Sequence, residues 1–429
     1  MTTNNNNRVP ELRFPGFEGE WPIQPLSNFL HEHKTKSDGK CRVHSVSVSK
    51  GVVDQIEYLG RSFAASDTSK YNLAKPNDII YTKSPTGSFP YGIVKMNKNP
   101  YNVIVSPLYG VYSPNNQYIG YIIDSFFESP ERTNTYLSSL VQKGAKNTIQ
   151  ITNNTFISKN VCFPTDEAEQ QKIADCLSSL DEEIAAESQK ADALKDHKKG
   201  LMQQLFPAMS NEQLAISNEQ LAMSNCVPEL RFPGFEGEWV VKKLGDVFTR
   251  ITRKNNEDNR NVLTISAQYG LVSQTDFFNK SVAAADVTGY YLLERGDFAY
   301  NKSSSSGNPM GVIKPLKKYE KGVVSTLYIC FNCNEPKSIS FWEQYFNAGC
   351  LDSEIRTIAQ EGARNHGLLN VPTSDFFTLK VLVPTLAEQQ KIADCLSELD
   401  EMISAQQLKV EALKEHKKGL MQKLFPKIN

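Results

Sequence analysis

The sequence predicts an α+β protein. Two β-rich globular domains are joined by two long helices that form an antiparallel coiled coil, and the whole is an internal repeat of pseudo-twofold character. Three observations predict this. Residues 169–178 recur letter for letter as 388–397, and residues 193–207 recur as 412–426 with two changes, both at an offset of 219. Within both copies apolar or packable residues are spaced four, three, four, three without a slip, which is a heptad seam. Finally, the thirteen residues 9–21 reappear unchanged as 227–239, and short strand-like runs between the repeats align as well.

The seam of the first copy runs through Ile173, Leu177, Leu180, Ile184, Ala191, Leu194, Leu201 and Leu205, with Glu187 and Lys198 at the two remaining steps. The second copy runs through Ile392, Leu396, Leu399, Ile403, Gln406, Val410, Leu413, Lys417, Leu420 and Leu424. A helix of about 40 residues is roughly 60 Å long. Alone in water it would leave its stripe wet, so it needs a partner stripe, and the chain carries a near-identical one. A twofold relation makes the pairing antiparallel. The expected register sets Glu187 against Lys417, Lys198 near Gln406, Leu180 by Leu424 and Ala191 by Leu413.

In chain order, residues 1–163 form the first lobe. The segment 9–21 holds two prolines, two glycines and three aromatics, so it is an irregular piece pinned against something. The runs 43–51, 77–84, 92–95 and 105–109 face 262–270, 296–303, 311–314 and 324–328 at the 219 offset. They are β-branched and aromatic, punctuated by Gly, Pro, Asn or Ser, and read as strands. The amphipathic stretches 121–142 and 340–360 supply helices late in each lobe, followed by the matching basic turns Gly-Ala-Lys-Asn at 144–147 and Gly-Ala-Arg-Asn at 362–365. Residues 164–207 are the central helical region, 227–383 the second lobe and 384–429 the distal helical region. Between them, residues 208–226 hold a seven-residue direct repeat, 211–217 and 218–224, that differs at one position. Its Glu, Gln, Leu and Ala suit a helix and its Ser and Asn a tether.

Composition narrows the function. Forty per cent hydrophobic and 22% charged residues describe a globular chain, and no apolar run is long enough to span a membrane. The polar start lacks the apolar core of a secretion signal, so the eight scattered cysteines are expected to be reduced thiols in the cytoplasm. Cys330 and Cys333 form a lone CxxC without a second ligand pair, which reads as two residues of a strand. No Walker-type loop, methyltransferase motif or nuclease carboxylate cluster is present, and His31 and His33 lack a third metal ligand nearby. The carboxylates at 181–183 read as solubilising surface. No catalytic residue, cofactor or metal is expected.

The formal charge of −1 is unevenly spread. Residues 1–163 carry seventeen Lys and Arg against twelve Asp and Glu, whereas 164–207 carry five against ten. Mildly basic lobes on a rod suit a protein that positions DNA while sharing its grip with another subunit. The lobes diverge where reading would occur: 84–90 and 303–309 differ although their flanks match. Candidate DNA-binding residues are therefore Lys83, Ser84, Thr86, Lys143, Lys146 and Asn147 in the first lobe, and Lys302, Ser303, Ser305, Arg364 and Asn365 in the second. Lysine and arginine suit phosphate or guanine contacts, and hydroxyl and amide groups suit base edges.

On the doubled segment at 9–21, the doubled Glu-Gln-Gln-Lys-Ile-Ala helix and the Leu-Phe-Pro endings at 207 and 426, the chain resembles the specificity (S) subunit of a type I restriction-modification system. The resemblance covers nearly all of the chain. It implies two target recognition domains, one for each half of a bipartite double-stranded DNA site, on helical regions packed as an antiparallel coiled coil. It also implies two adenine methyltransferase (M) subunits gripping the helices, ATP-using restriction (R) subunits, and a non-catalytic role for this chain. In that family short linker repeats tune the spacer. The alternative of a different class is a coiled-coil adaptor with two protein-binding lobes and no DNA.

Overall fold

A computed structural model of the chain describes residues 8–37, 39–143, 149–207, 226–278, 286–305, 307–361 and 367–426. The chain forms two compact units, residues 1–188 with 408–429, and residues 189–407. Each long helix contributes one half to each unit.

The first unit contains β1 (Ile23–Pro25), β2 (Leu30–Glu32), β3 (His44–Ser47), β4 (Gly51–Asp54), α1 (Gln55–Leu59), β5 (Asn72–Ala74), β6 (Ile79–Tyr81), β7 (Val94–Met96), β8 (Val103–Val105) and β9 (Gly110–Pro114). These are followed by α2 (Gln117–Glu128), α3 (Pro130–Ser138), β10 (Gln142–Lys143), β11 (Ile149–Gln150), α4 (Asn153–Ser158), β12 (Asn160–Cys162) and the first half of α5 (Glu167–Leu205). Strands β2, β9, β6 and β7 form an antiparallel four-stranded sheet in that order, and β5 pairs with β8. Strand β6 is buried on both faces. Ile79 and Tyr81 join the large core with Trp21, Tyr112, Phe127 and Phe156, while Ile80 turns to a second core with Val52, Val103, Val105 and Val111. Two-sided burial explains why this strand reads as a continuous apolar run rather than an alternating one.

The second unit contains β13 (Val240–Lys243), α6 (Leu244–Val247), β14 (Phe248–Arg250), β15 (Leu263–Ser266), β16 (Gly270–Ser273), α7 (Gln274–Phe278), β17 (Tyr291–Glu294), β18 (Phe298–Asn301), β19 (Val312–Pro315), β20 (Lys321–Val324) and β21 (Ile329–Cys333). Then come α8 (Ile339–Asn347), α9 (Asp352–Ile358), β22 (Gln360–Glu361), β23 (Leu369–Asn370), α10 (Thr373–Phe376), β24 (Lys380–Val383) and the first half of α11 (Leu386–Leu424). Its sheet order β14-β21-β18-β19 repeats the first, and the register Tyr81↔Gly110 returns as Tyr300↔Ile329. Cys330 and Cys333 lie on β21 as free thiols, and burial pushes their pKa values up to about 12 and about 11.

Each amphipathic stretch late in a lobe holds two helices. Pro130 removes an amide donor and starts α3, whose first turn is capped by the Ser129 hydroxyl; in the second lobe Gly349, at φ 74°, ends the run before α9. The carboxylate Asp181 is not a solubilising group. It accepts hydrogen bonds from Lys417 Nζ at 2.6 Å and from the Tyr121 hydroxyl.

The long helices are antiparallel within each unit, and every seam position is buried or half-buried. In the first unit Lys417 meets Asp181 and Lys409 meets Glu187; in the second Lys198 meets Asp400 at 2.7 Å. This corrects the expected register, in which Glu187 faced Lys417 and Lys198 lay near Gln406. An apolar seam alone tolerates a slip of one heptad. The expected register would leave the buried Lys198 without a carboxylate, at a cost of several kcal/mol. In the observed one, the equivalent lysines 198 and 417 each find the equivalent aspartates 400 and 181.

Candidate functional site

The repeated thirteen-residue segment is held by one buried carboxylate. Asp166 caps α5, accepting from the Ala168 and Glu169 amides, which brings Glu169 into the first turn. Arg13 donates to both oxygens of Glu169 at 2.7 and 2.9 Å, the Trp21 indole donates to the same carboxylate at 3.1 Å, and the other arm of Arg13 reaches the Gly19 carbonyl. In the second unit Arg231 and Trp239 clamp Glu388 in the same manner. The Leu12 amide also donates to the Lys423 carbonyl at the end of α11, as Leu230 does to Gln204 at the end of α5. Each copy therefore ties the start of one long helix to the end of the other within its unit. The sequence shows that the segment is pinned; a lone Glu in a helix repeat gave no sign of being its anchor.

The divergent loops stand on matched footings. Leaving β6, the chain passes Thr82 and Lys83 and makes a tight hairpin in which Thr86 and Phe89 exchange both backbone hydrogen bonds. Leaving β18, Ser305 and Asn308 do the same at the equivalent position. Gly87, the first central residue of one hairpin, has φ 46°; the second central residue has positive φ in the other hairpin, Gly307 at 84°, but not at Ser88. One framework therefore carries two turn conformations. At the far side of each loop a buried tyrosine hydroxyl holds the chain: Tyr81 donates to the Tyr91 carbonyl at 2.9 Å, and Tyr300 to the Met310 carbonyl at 2.7 Å. Gly92 and Gly311 follow at φ 107° and 83°, where a Cβ would collide with the Thr82 and Asn301 carbonyl oxygens. The flanks are held alike in the two lobes and the tips differ.

Of the candidate residues, Lys83, Ser84, Thr86, Ser303 and Ser305 are exposed on these hairpins and Lys302 is half-exposed. Partial burial lowers the ammonium pKa of Lys302 and also of Lys83, which the protein crowds even though much of its surface is open; Glu32 works against the shift at Lys83. The second lobe ties its hairpin to residues 367–369. The Ser304 amide donates to the Gly367 carbonyl at 2.6 Å and the Leu369 amide to the Lys302 carbonyl at 3.0 Å, so the hairpin is zipped to the chain just beyond 362–365. In the first lobe the hairpin is instead tied to α3, through the Asn134 amide and the Ser88 carbonyl. Lys146, Asn147, Arg364 and Asn365 lie outside the described residues, as does the linker repeat, and only the backbone of Lys143, on β10, is described.

Two lysines escaped the sequence reading. Lys36 bridges to Asn72 on β5, and Lys254 bridges to Tyr291 on β17, which places both beside strands paired with β8 and β20, the strands that run into the turns before β9 and β21. Their surroundings have little residue-by-residue similarity, so the repeat could not align them. Among the described residues no three His, Cys, Asp or Glu side chains come together to hold a metal, and no helix is long and apolar enough to cross a membrane.

Comparison with known proteins agrees with this picture. The chain is 45% identical over 199 residues to a Methanocaldococcus jannaschii protein named for the specificity subunit of a type I restriction enzyme, MjaX; the match covers 44% of this chain and 46% of that one. It is 39% identical over 61 residues to the type I restriction enzyme MjaVIII specificity subunit of the same organism, covering 14% of each. The chain thus matches less than half the length of these curated relatives. The crystal structure of the type I restriction-modification S subunit from M. genitalium superimposes with a TM-score of 0.55 over 98% of this chain and 100% of that one, at 14% identity, a likeness of fold. The family model described as type I restriction modification DNA specificity domain matches residues 49–196 and 236–414. Those two stretches make up well over half of the sequence, and the chain belongs to this family.

Proposed function

We propose that the chain is the sequence-specific DNA-recognition subunit of a type I restriction-modification complex. Each lobe reads one half of a bipartite double-stranded target. The paired helices set the spacer between the halves and dock two adenine methyltransferase subunits, and restriction subunits complete the assembly in the cytoplasm. The observation that carries this reading is the matched footing of the divergent hairpins. Tyr81 and Tyr300, then Gly92 and Gly311, hold equivalent points, while the residues between them differ in side chains and in turn geometry. A protein that presents two different surfaces from one repeated framework suits two different half-sites, much as dimers match half-site spacing. Lys83, Lys146, Lys302 and Arg364 serve phosphate or guanine, with Lys143 beside them, and Ser84, Thr86, Asn147, Ser303, Ser305 and Asn365 serve base edges.

The pairs of buried lysines with partly exposed aspartates support the spacer role, because they hold the helices in one register. If the linker repeat is helical, one copy adds about 10 Å, or about three base pairs. The test is a mobility shift of the full chain with and without a methyltransferase partner, on duplexes of varied spacer and at varied salt. Binding should fall steeply with salt and favour one spacer, and deleting residues 218–224 should move that preference to a shorter one. Salt-independent binding, or indifference to spacer, would remove this reading in favour of a protein-binding adaptor.

A further inference from the structure

Both lobes carry an exposed leucine at one point of the framework. Between β8 and β9 the chain turns through Ser106, Pro107, Leu108 and Tyr109; between β20 and β21 it turns through Ser325, Thr326, Leu327 and Tyr328. The two turns are built alike. The Tyr109 amide donates to the Ser106 carbonyl, the Leu108 amide to the Ser106 hydroxyl, and Tyr328 and Leu327 do the same to Ser325. Leu108 is 74% exposed and Leu327 is 63% exposed, although valines 105 and 324, three residues before them, are fully buried. A scattered surface leucine needs no explanation. The same leucine, displayed on the same preformed turn in two lobes that have otherwise diverged, does.

The sheet register gives these leucines their neighbours. Tyr81 pairs with Gly110 and Tyr300 with Ile329. Lys83 and Lys302 follow these tyrosines by two residues, on the chain that leads into the divergent hairpins. On the other side β5 pairs Asn72 with Val105, and Lys36 bridges to Asn72 with its ammonium 2.7 Å from the Asn72 amide oxygen. In the second lobe Tyr291 pairs with Val324, and Lys254 bridges to Tyr291 with its ammonium 4.3 Å over the ring. Each leucine thus sits in the turn that joins a strand paired with the lysine-bridged strand to a strand paired with the one that runs into the divergent hairpin and its lysine. A polyanion with apolar groups exposed in a groove complements such an edge. Duplex DNA has phosphates for the lysines and thymine methyls or a base step for the leucine.

We propose that Leu108 and Leu327 are apolar base-contacting residues, one in each lobe, entering a DNA groove between phosphate contacts from Lys36 and Lys83 in the first lobe and Lys254 and Lys302 in the second. The inference rests on the DNA-recognition reading above and adds the edge and the residue that touch the bases. The leucine works without a titratable group, so it contributes to sequence preference and not to salt dependence.

The test uses the full chain assembled with its methyltransferase subunits. Binding is measured by fluorescence anisotropy, over a range of salt, on a duplex carrying the cell's methylated sequence and on a scrambled duplex. Wild type is compared with L108A, L327A and the double variant K36A/K83A. Each leucine variant should weaken the specific duplex about tenfold, the scale of one buried leucine, and leave scrambled binding and salt slope unchanged. The lysine pair should weaken both duplexes and lower the salt slope by about two. Thermal melts should be unchanged by L108A and L327A, because the side chains are exposed. Wild-type affinity in both leucine variants, with the lysine effect intact, would overturn the leucine proposal and leave the DNA reading standing. Equal losses on both duplexes would overturn base contact as well. Absence of salt-dependent binding by wild type would overturn the DNA reading and this proposal with it.

Discussion

Replacing Lys417 by Met tests the physical basis of the helix pairing. The Lys417 side chain is 7% exposed and its ammonium lies 2.6 Å from Asp181 and 2.7 Å from Glu128. Removing one member of a buried pair costs about 3–5 kcal/mol, because the other charge is left desolvated. Asp181 is 29% exposed and keeps the Tyr121 hydroxyl and, at 3.5 Å, Lys98. The loss should therefore be nearer about 2 kcal/mol, with methionine replacing the stem's apolar contacts. The assay is urea unfolding followed by fluorine NMR of protein labelled with 5-fluorotryptophan. Of the three tryptophans, Trp21 alone belongs to the first unit, so its resonance reports that unit separately from Trp239 and Trp342. The pH dependence carries a second signature. Burial works to raise the Asp181 pKa, but the Lys417 charge and hydrogen bond, the Tyr121 hydroxyl and Lys98 together hold it below the usual value. A depressed folded pKa gives stability that is present above the unfolded pKa, near about 4, and lost as pH falls through the folded one. The difference between wild type and Asp181→Asn should thus be full at neutral pH and fade below about pH 4. A Lys417→Met cost under about 0.5 kcal/mol, or a pH-independent difference for Asp181→Asn, would refute the claim that the pair selects the register.

Three further outcomes are expected. Glu169→Gln keeps the shape of the clamp but removes its charge, so Arg13 and Trp21 lose charge-assisted bonds. Hydrogen exchange across residues 8–21 should accelerate by a factor equivalent to about 1.5–3 kcal/mol, with residues 227–239 unaffected. Gly92→Ala forces a Cβ against the Thr82 carbonyl at φ 107° and should destabilise by about 2–4 kcal/mol in a thermal melt, whereas Gly87→Ala, with nothing within 4 Å, should cost about 1 kcal/mol. In a background with Cys176 and Cys395 replaced by Ser, cysteines at 184 and 413 should form a disulfide on oxidation and those at 184 and 420 should not. Seven helical residues separate the two sites by about 10 Å, beyond the roughly 7 Å that a disulfide spans between Cα atoms.

The lobe strands, the long helices and their antiparallel sense were legible because each is a periodic pattern written twice. The register was not, because a heptad seam is satisfied again after every seven residues and only the lysine–aspartate pairs break the tie. Pairing Lys198 with Asp400 and Lys417 with Asp181 could have been guessed from their equivalence, had Asp181 not looked like one more carboxylate on an acidic helix. The break between the two helices of each late stretch is marked in the sequence by Pro130 and Gly349. At the candidate interface the hairpins were legible as divergence between matched flanks. Leu108 and Leu327 were not: a leucine beside a strand reads as core, and only the turn geometry turns it outward. Lys36 and Lys254 are placed by bridges to Asn72 and Tyr291, residues far apart from them in sequence, which no local pattern records.

On the proposed function, each lobe reads its own half of the target. Exchanging residues 22–163 for the corresponding lobe of a related chain, then sequencing methylated bases across the genome, tests it most directly. One half of the methylated site should change while the other half and the spacer stay as they were. A change in both halves, or in neither, would contradict it.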